Sequence, residues 1–196
     1  MGLLRQVLAW IAAIAVGVAL GGASVWAALS LGRNAFSESY GAWRFSRAAG
    51  SEAAGPYTRA IIAREGLLAL SAREALYFSL YQDDQGRPLS ESCIYDLSGA
   101  PLAARWWSVT LYADDNFLAQ NTDGAHSIDA SRVGNDAPWR ARISPVRGDA
   151  VHWLSSRAAR RGFIIMLRVY NPQRDFRPSA RALPVLTTVS CAGDAP

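Results

Sequence analysis

The amino-terminal 32 residues constrain the fold of this chain more than any other feature, because they carry one charged side chain, Arg5. The stretch from Gln6 to Gly32 is uncharged over 27 residues. About 20 apolar helical residues cross the hydrocarbon core of a bilayer, whereas the apolar region of a secretory signal peptide has only about 7–15. Residues 1–32 are therefore predicted to form a single transmembrane helix, an uncleaved signal anchor. Cleavage after Ala27 is the alternative.

Small side chains recur along one side of this predicted helix. Ala13, Gly17 and Gly21 are spaced by four residues, and the last two form a GxxxG motif. Small residues on one helix face allow a second transmembrane helix to approach closely. We expect a helix–helix contact at these residues, although alanine is so common in this segment that chance spacing is an equal alternative.

The two cysteines, Cys93 and Cys191, indicate the compartment of the remaining chain. Both lie in strand-like segments, and a pair of this kind suits a disulfide in an oxidising compartment. Two buried free thiols in a cytosolic domain are the alternative. The flanking charges do not decide the orientation, since Arg5 precedes the helix and Arg33 follows it. The absence of lysine and the abundance of alanine are typical of a GC-rich bacterial genome. With the cysteines deciding the orientation, we predict a bacterial inner-membrane protein with a cytoplasmic N-terminus and a periplasmic domain.

Charge is divided unevenly between the two parts of the predicted domain. Residues 33–131 contain eight arginines and twelve carboxylates, a net charge of −4, whereas residues 132–181 contain eleven arginines and three carboxylates, a net charge of +8. The densest basic cluster is Arg157, Arg160 and Arg161. This cluster suits an anionic partner such as phospholipid head groups, with solvated surface arginines as the alternative. A nucleic-acid partner is not expected for an exported domain.

The order of turns and short apolar runs predicts the fold of the remaining chain. Residues 33–56 are rich in Gly, Ala and Ser and are predicted to be a linker or docking segment, and Tyr57–Glu65 is predicted to be a short helix entered through Pro56. Strand-like pieces separated by turn residues follow near 76–81, 91–97, 105–112, 117–120, 126–130, 139–143, 163–170 and 185–191. This rhythm predicts a mainly β, antiparallel sandwich over residues 57–196.

The stretch ARWWSVTLYADDN contains the most conspicuous candidate binding residues. Side chains alternate between the faces of a strand, so Trp107, Val109 and Leu111 share one face and are predicted to be core. Trp106 and Tyr112 lie on the opposite face together with two hydroxyl side chains. Such a face suits stacking on a sugar or a peptide, or it lies under a covering segment. Both interpretations are open at this point.

The residue types needed for several kinds of catalysis are scarce. There are two histidines, His126 and His152, and neither a G-x-S-x-G motif nor a metal-binding motif occurs. We therefore predict no catalytic, metal or cofactor residues. A glycosidase-like pair of carboxylates drawn from Asp96, Asp114 and Asp115 is the alternative, although adjacent acids in a turn point in different directions.

An ordered set of segments adds a family resemblance. It comprises PYTRAIIAREGLLALSAREALYF, DDQGRPLSESCIYDLSG, ARWWSVTLYADDNFLAQN, the pair Trp153–Leu154, and GFIIMLRVYNP. Over roughly Pro56 to Cys191 this set resembles the domain of unknown function 1214. The resemblance implies a jelly-roll-like sandwich behind an N-terminal hydrophobic helix, similar to the C-terminal half of larger envelope proteins that also carry domain 1254. The chain departs from the family at residues 155–161, where relatives usually have a Pro/Gly-rich loop.

These observations favour a non-enzymatic function. We predict a membrane-anchored periplasmic binding or accessory module, with Trp106, Tyr112, Arg157, Arg160 and Arg161 as candidate contact residues. An enzyme that modifies envelope glycans or lipids is one alternative. The other is an accessory subunit of a larger membrane complex, held by a partner transmembrane helix or by an envelope protein.

Overall fold

A computed structural model describes residues 2–35, 37–46, 49–51, 54–64, 70–71 and 73–192. Three helices occur in these ranges: α1 (Gly2–Ala35), α2 (Pro56–Arg64) and α3 (Ala130–Val133). The strands in these ranges are β1 (Glu38–Tyr40), β2 (Trp43–Phe45), β3 (Ala75–Leu80), β4 (Cys93–Gly99), β5 (Ala104–Tyr112), β6 (Ser127–Asp129), β7 (Trp139–Ser144), β8 (Trp153–Ser155), β9 (Ile164–Pro172) and β10 (Val185–Cys191).

Helix α1 contains a segment, Gly2–Ala28, that is long and apolar enough to cross a membrane. Its 27 residues rise about 40 Å, more than the ~30 Å hydrocarbon core. A signal sequence near an N-terminus has the same properties, so an anchor and a signal sequence are both compatible with α1. Among the described residues, no other part of the chain lies within 4 Å of where a β-carbon would stand at Gly17 or Gly21. The helix–helix contact, including Ala13, stays a prediction.

The strands form two sheets that pack face to face. The six-stranded sheet has the order β1-β2-β3-β9-β5-β6, and the four-stranded sheet has the order β10-β4-β7-β8. Neighbouring strands are antiparallel except for β7 and β8, which run parallel. The predicted mainly β, antiparallel sandwich preceded by one N-terminal helix is confirmed.

The core lies between the sheets and is built by alternation along their central strands. On β5, the side chains of Trp107, Val109 and Leu111 are fully buried, as their spacing predicts. On the apolar face of β9, the side chains of Ile165, Leu167 and Val169 are also fully buried. From the four-stranded sheet, Trp139 stacks on Trp107 with ring centroids 4.7 Å apart. The two tryptophans therefore join the sheets at the level where β4 ends and β7 begins.

The short helices are fixed by local sequence. Helix α2 starts at Pro56, whose ring suits the first helical position, and it confirms the helix predicted from Tyr57. Glu65 and Gly66, the predicted last residue and stop, lie outside the described residues. Helix α3 is one turn, and the carboxylate of Asp129 accepts hydrogen bonds from the backbone N–H groups of Ser131 and Arg132 at its start.

The predicted strand at residues 117–120 is wrong. Phe117 and Leu118 are exposed and belong to a turn, in which Leu118 forms only an isolated bridge with Tyr112. The Asp115 carboxylate accepts the Phe117 N–H at 2.9 Å and bends the chain directly after β5. Local side-chain-to-backbone hydrogen bonding therefore outweighs the apolar character of this segment.

Residues 33–56 contribute two strands that the sequence pattern did not predict. Strands β1 and β2 extend the edge of the six-stranded sheet beside β3. Trp43, only 2% exposed, donates its indole N–H to the carbonyl of Pro184 at 2.6 Å. This contact fixes the segment to a part of the chain 141 residues away. The division of the chain into anchor, linker and domain remains a prediction.

Gly99, the last residue of β4, permits the stacking of Trp139 on Trp107 in the core. A β-carbon at this position would lie 2.5 Å from Cζ2 of Trp139. Gly99→Ala is therefore expected to displace Trp139 and to lower the free energy of unfolding by about 1–3 kcal/mol. Urea unfolding of the detergent-solubilised chain, with near-ultraviolet circular dichroism, measures both effects.

Gly55→Ala is the matched control for this substitution, since nothing lies within 4 Å of its β-carbon position. We expect it to change the free energy of unfolding by less than about 1 kcal/mol. Equal stability of the Gly99→Ala and Gly55→Ala variants would contradict the close approach of Gly99 to Trp139.

Candidate functional site

The outer face of the six-stranded sheet brings together the aromatic and hydroxyl side chains of its central strands. On β5 this face carries Trp106, Ser108, Thr110 and Tyr112, opposite to the buried Trp107. Trp106 and Tyr112 are partly exposed, whereas Ser108 and Thr110 are buried. The face is therefore covered in part and retains two accessible aromatic residues.

Helix α2 supplies part of that cover. Its Ile62 packs against a small apolar cluster on the same face, formed by Ala75, Tyr77 and Met166. Tyr77 also accepts a hydrogen bond from the backbone N–H of Leu70 at 2.9 Å. The cover lies over β3 and β9, so the accessible part of the face is the side that includes Trp106 on β5.

Trp106 is held in one position by contacts with two neighbouring elements. Its indole N–H donates to Oγ of Ser131 in α3 at 3.0 Å. Its ring lies against Tyr170 of β9, with centroids 5.2 Å apart and planes inclined by 50°. A partly exposed ring that is fixed in this way is preorganised for stacking on a ligand or partner.

Arg168 of β9 is the charged residue at the centre of this face. The register places it directly opposite Ser108 on one side and Tyr77 on the other. Its guanidinium donates to the Tyr112 hydroxyl at 2.6 Å and to Oγ1 of Thr110 at 3.3 Å, and it lies 5.4 Å from the centroid of the Tyr112 ring. The candidate functional residues did not include Arg168. The available signal was a single charge in the otherwise apolar run FIIMLRVY.

The predicted basic cluster lies elsewhere, against the loops that follow β5. Arg157 pairs with the Asp123 carboxylate, with Nε at 3.0 Å from Oδ2, and Arg160 lies 3.7 Å from Asp114. Arg161 is exposed and bridges to Ser90 through its backbone. Asp114 is eight residues beyond Trp106, about 26 Å along an extended chain. The structure therefore does not bring these arginines to Trp106.

Asp123 neutralises part of that cluster and joins two loops. The Ser155 hydroxyl donates to its carboxylate at 2.6 Å, and Arg157 donates to both of its oxygens. The hydrogen bond from Ser155, together with the bonds and charge of Arg157, lowers the pKa of Asp123 below its ordinary value, against the opposing effect of burial. Because Ser155 donates to this carboxylate, its hydroxyl is not directed at an imidazole.

The carboxylates considered for acid–base chemistry are engaged individually. Asp96 pairs with Arg142 at 3.4 Å on the four-stranded sheet. Asp114 is adjacent to Arg160, and Asp115 accepts a backbone N–H within its turn. Asp96 therefore belongs to a different sheet from the β5 turn that holds the other two. Within the described part of the chain, no three His, Cys, Asp or Glu side chains are grouped so that they would hold a metal ion.

Asp83 has a structural role in the turn between β3 and β4. Its carboxylate, 4% exposed, accepts backbone N–H groups from Gln85 and Arg87 and the Nε–H of Arg87. Burial raises the pKa of Asp83, but these hydrogen bonds and the Arg87 charge together hold it below its ordinary value. Asp83 therefore fixes the turn through residues 83–87 rather than serving as a free acid.

Cys93 and Cys191 lie at disulfide-bonding distance, as predicted. They are register partners on β4 and β10, 98 residues apart in sequence. Cys93 belongs to the core, and Cys191 packs against its margin. The bond therefore fixes the edge strand β10 to the rest of the four-stranded sheet.

Residues 74–174 match the family described as "Protein of unknown function (DUF1214)". The chain belongs to this family. The DUF1214 match covers β3 to β9 and thus the whole outer face described above, with the exception of β1 and β2. No curated protein matches the sequence.

Two solved structures are similar to this DUF1214 protein. The VPA0106 protein from Vibrio parahaemolyticus is 23% identical, with a TM-score of 0.54 over 70% of this chain and 36% of its own. A protein from Burkholderia cenocepacia is 15% identical, with a TM-score of 0.41 over 63% of this chain and 31% of its own. The first supports the fold alone, and this chain spans about a third of the length of both.

Proposed function

We propose that this DUF1214 protein is a membrane-anchored binding module of the bacterial envelope, which uses the outer face of its six-stranded sheet to bind a partner. The observation that carries the proposal is Trp106, a partly exposed ring held between Tyr170 and Ser131. Exposed tryptophans that are rigidly supported are frequent energetic centres of interfaces. Tyr112, fixed by Arg168 at the other end of the same strand, extends the surface.

The proposed location rests on two features at different points of the chain. The apolar helix α1 suits an anchor in the inner membrane, with its N-terminus in the cytoplasm. The Cys93–Cys191 pair suits a sandwich exposed to the periplasm, where disulfides form and persist. Together they support residues 1–32 as the anchor and the sandwich, which takes in β1 and β2 from residues 33–56, as the exported part.

The partners of the acidic groups and of the Ser155 hydroxyl favour a binding function over a catalytic one. Asp96 and Asp114 are each next to an arginine, and the Ser155 hydroxyl donates to Asp123. Asp96 and Asp114 are thus engaged with arginines on different elements, whereas glycoside hydrolysis uses two carboxylates that face the same substrate bond. An enzyme that modifies glycans or lipids would therefore need residues other than these.

Co-purification in mild detergent tests the proposal. The full-length protein is expected to retain a specific envelope protein, and Trp106→Ala should reduce that retention by about 30-fold, as for an interface residue worth about 2 kcal/mol. Trp153→Phe is the matched control, because Trp153 lies on the four-stranded sheet and bonds to Ser144. Quantitative mass spectrometry of the three eluates measures the effect.

Two results would count against the proposed function. If wild type retains no envelope protein reproducibly, the binding role is wrong. If Trp106→Ala and Trp153→Phe retain the partner equally, with circular dichroism confirming that both are folded, the partner does not use the outer face around Trp106.

A further inference from the structure

Among the described residues, no carboxylate forms an ion pair with the Arg168 guanidinium. It is partly buried in the middle of the six-stranded sheet, with β3 on one side and β5 on the other. Its acceptors among the described residues are two neutral hydroxyls, on Tyr112 and Thr110. By contrast, the partly buried Arg142 on the other sheet pairs with the carboxylates of Asp96 and Asp149.

A buried cation without a counter-charge is unfavourable, because hydroxyl dipoles replace its hydration only in part. A guanidinium has five N–H donors, and two hydrogen bonds occupy two of them here. The remaining donors and the net positive charge are suited to an oxyanion, which guanidinium groups bind through paired hydrogen bonds.

The neighbours of Arg168 provide the rest of such a site. Ser108, its register partner on β5, is 7% exposed, and its hydroxyl forms no hydrogen bond with any described residue. The neighbouring register pair on the same face of the sheet is Trp106 and Tyr170, whose rings lie against one another. A charge, a spare hydroxyl donor and an aromatic wall therefore adjoin on one face.

We propose that Arg168 and Ser108 bind an oxyanion group, a carboxylate or a phosphate, of a ligand whose organic part lies against Trp106 and Tyr170. This inference rests on the proposed function, since it specifies the ligand chemistry of the same outer face. Arg168 fixes the charged group, and the ring pair contacts the uncharged part. Tyr112 and Thr110 hold the guanidinium in place through their hydroxyls.

Thermal unfolding of the full-length protein in phosphatidylcholine nanodiscs, followed by tryptophan fluorescence, tests the site. Sodium phosphate and sodium acetate are compared with sodium chloride at equal ionic strength. At ten times the dissociation constant, the Tm of wild type should rise by about 3–6 °C more than the Tm of Arg168→Met. The comparison with the variant removes the general stabilisation that phosphate gives to any protein.

Further variants separate binding from folding. Arg142→Met removes an equal charge from a carboxylate-paired site and should keep the full anion response of wild type. Arg168→Lys keeps the charge and should keep part of the response, and Ser108→Ala should reduce it. Without anion, Arg168→Met should be at least as stable as wild type, because the uncompensated charge is gone.

The source of the oxyanion is resolved by repeating the measurement in phosphatidylglycerol nanodiscs. A difference in Tm between wild type and Arg168→Met that appears with free anions identifies a soluble ligand, and one that appears only with phosphatidylglycerol identifies a lipid head group. Equal responses of wild type and Arg168→Met in every condition would overturn the oxyanion site. In that case, loss of the co-purified partner in Trp106→Ala would still support the binding module.

Discussion

Replacing Cys93 and Cys191 by serine should lower the free energy of unfolding of this DUF1214 protein by about 4–5 kcal/mol. The physical reason is the length of chain that the bond closes, since the two residues are 98 apart in sequence. Closing so long a loop removes much of the conformational entropy of the unfolded chain. A loss of this size is a large part of the 5–15 kcal/mol that stabilises a typical domain.

Because β10 is an edge strand, the loss of stability on removal of the disulfide should be concentrated at this strand in addition to affecting the whole domain. In the four-stranded sheet this strand has one neighbour, β4, and Leu186 is its one buried side chain, the others being exposed or partly buried. Without the disulfide, β10 should open before the rest of the sandwich. Hydrogen exchange in the serine variant should therefore be fastest at β10 and at the facing residues of β4.

Reduction provides the control for this prediction. Wild type treated with a thiol reductant should match the double serine variant in stability, whereas Ser190→Ala, an exposed substitution on the same strand, should leave stability within about 0.5 kcal/mol. Non-reducing and reducing gels of protein from the envelope should differ in mobility. Identical free-thiol counts before and after reduction would exclude the disulfide and remove one of the two supports for a periplasmic domain.

The central strands were predictable from the sequence because one face of each is consistently apolar, and in β5 these apolar residues alternate with hydroxyl residues. In β5 every second side chain, from Trp107 to Leu111, is fully buried, and the apolar face of β9 follows the same rule. Both strands lie in the interior of the six-stranded sheet, where each has two neighbours. The pattern of apolar residues in β5 and β9 could be recognised because both strands lie inside the sheet, and the intrinsic strand propensity of their residues was less important.

Strands β1 and β2 were not predictable, for the opposite reason. Strands β1 and β2 have three residues each, and the contact that fixes Trp43 comes from Pro184, 141 residues away. A strand of this length has no period to detect, and its stability comes from tertiary contacts that local sequence does not contain. The family match, which starts at residue 74, does not include them either.

The candidate site was predictable in part, for a related reason. Alternation separated Trp106 from Trp107, but it did not indicate that Arg168 lies beside Tyr112, 56 residues earlier. For the basic cluster, the sequence overstated the available positive charge. Asp123, 34 residues earlier in the chain, pairs with Arg157 and neutralises part of it. The register of the sheets and the contacts between loops decide which charged residues pair. The number of arginines in the sequence does not reveal these pairs.

Trp107→Ala should lower the free energy of unfolding by about 3–5 kcal/mol, the range observed for large aromatic residues deleted from a core. Trp107 is fully buried, stacks on Trp139 and donates its indole N–H to Oδ1 of Asn135 at 2.9 Å. The Asn135 side chain also bonds to both the N–H and the carbonyl of Leu102 at 3.0 Å. Deletion of the ring therefore leaves a cavity and removes one partner of the amide that joins two loops.

Trp106→Ala is the matched control, since it deletes the same side chain from the adjacent residue on the other face of β5. Trp106 is partly exposed, and its contacts are one ring and one hydroxyl, so we expect a loss of about 1–2 kcal/mol. Urea unfolding of both variants measures the difference between the two losses, which should be about 1–4 kcal/mol. Equal losses would mean that both rings serve the core, and Trp106 would then lose its claim as the exposed contact residue of the outer face. A small loss with retained fold makes Trp106→Ala a clean probe of binding, because the variant removes the accessible ring and leaves the sandwich intact.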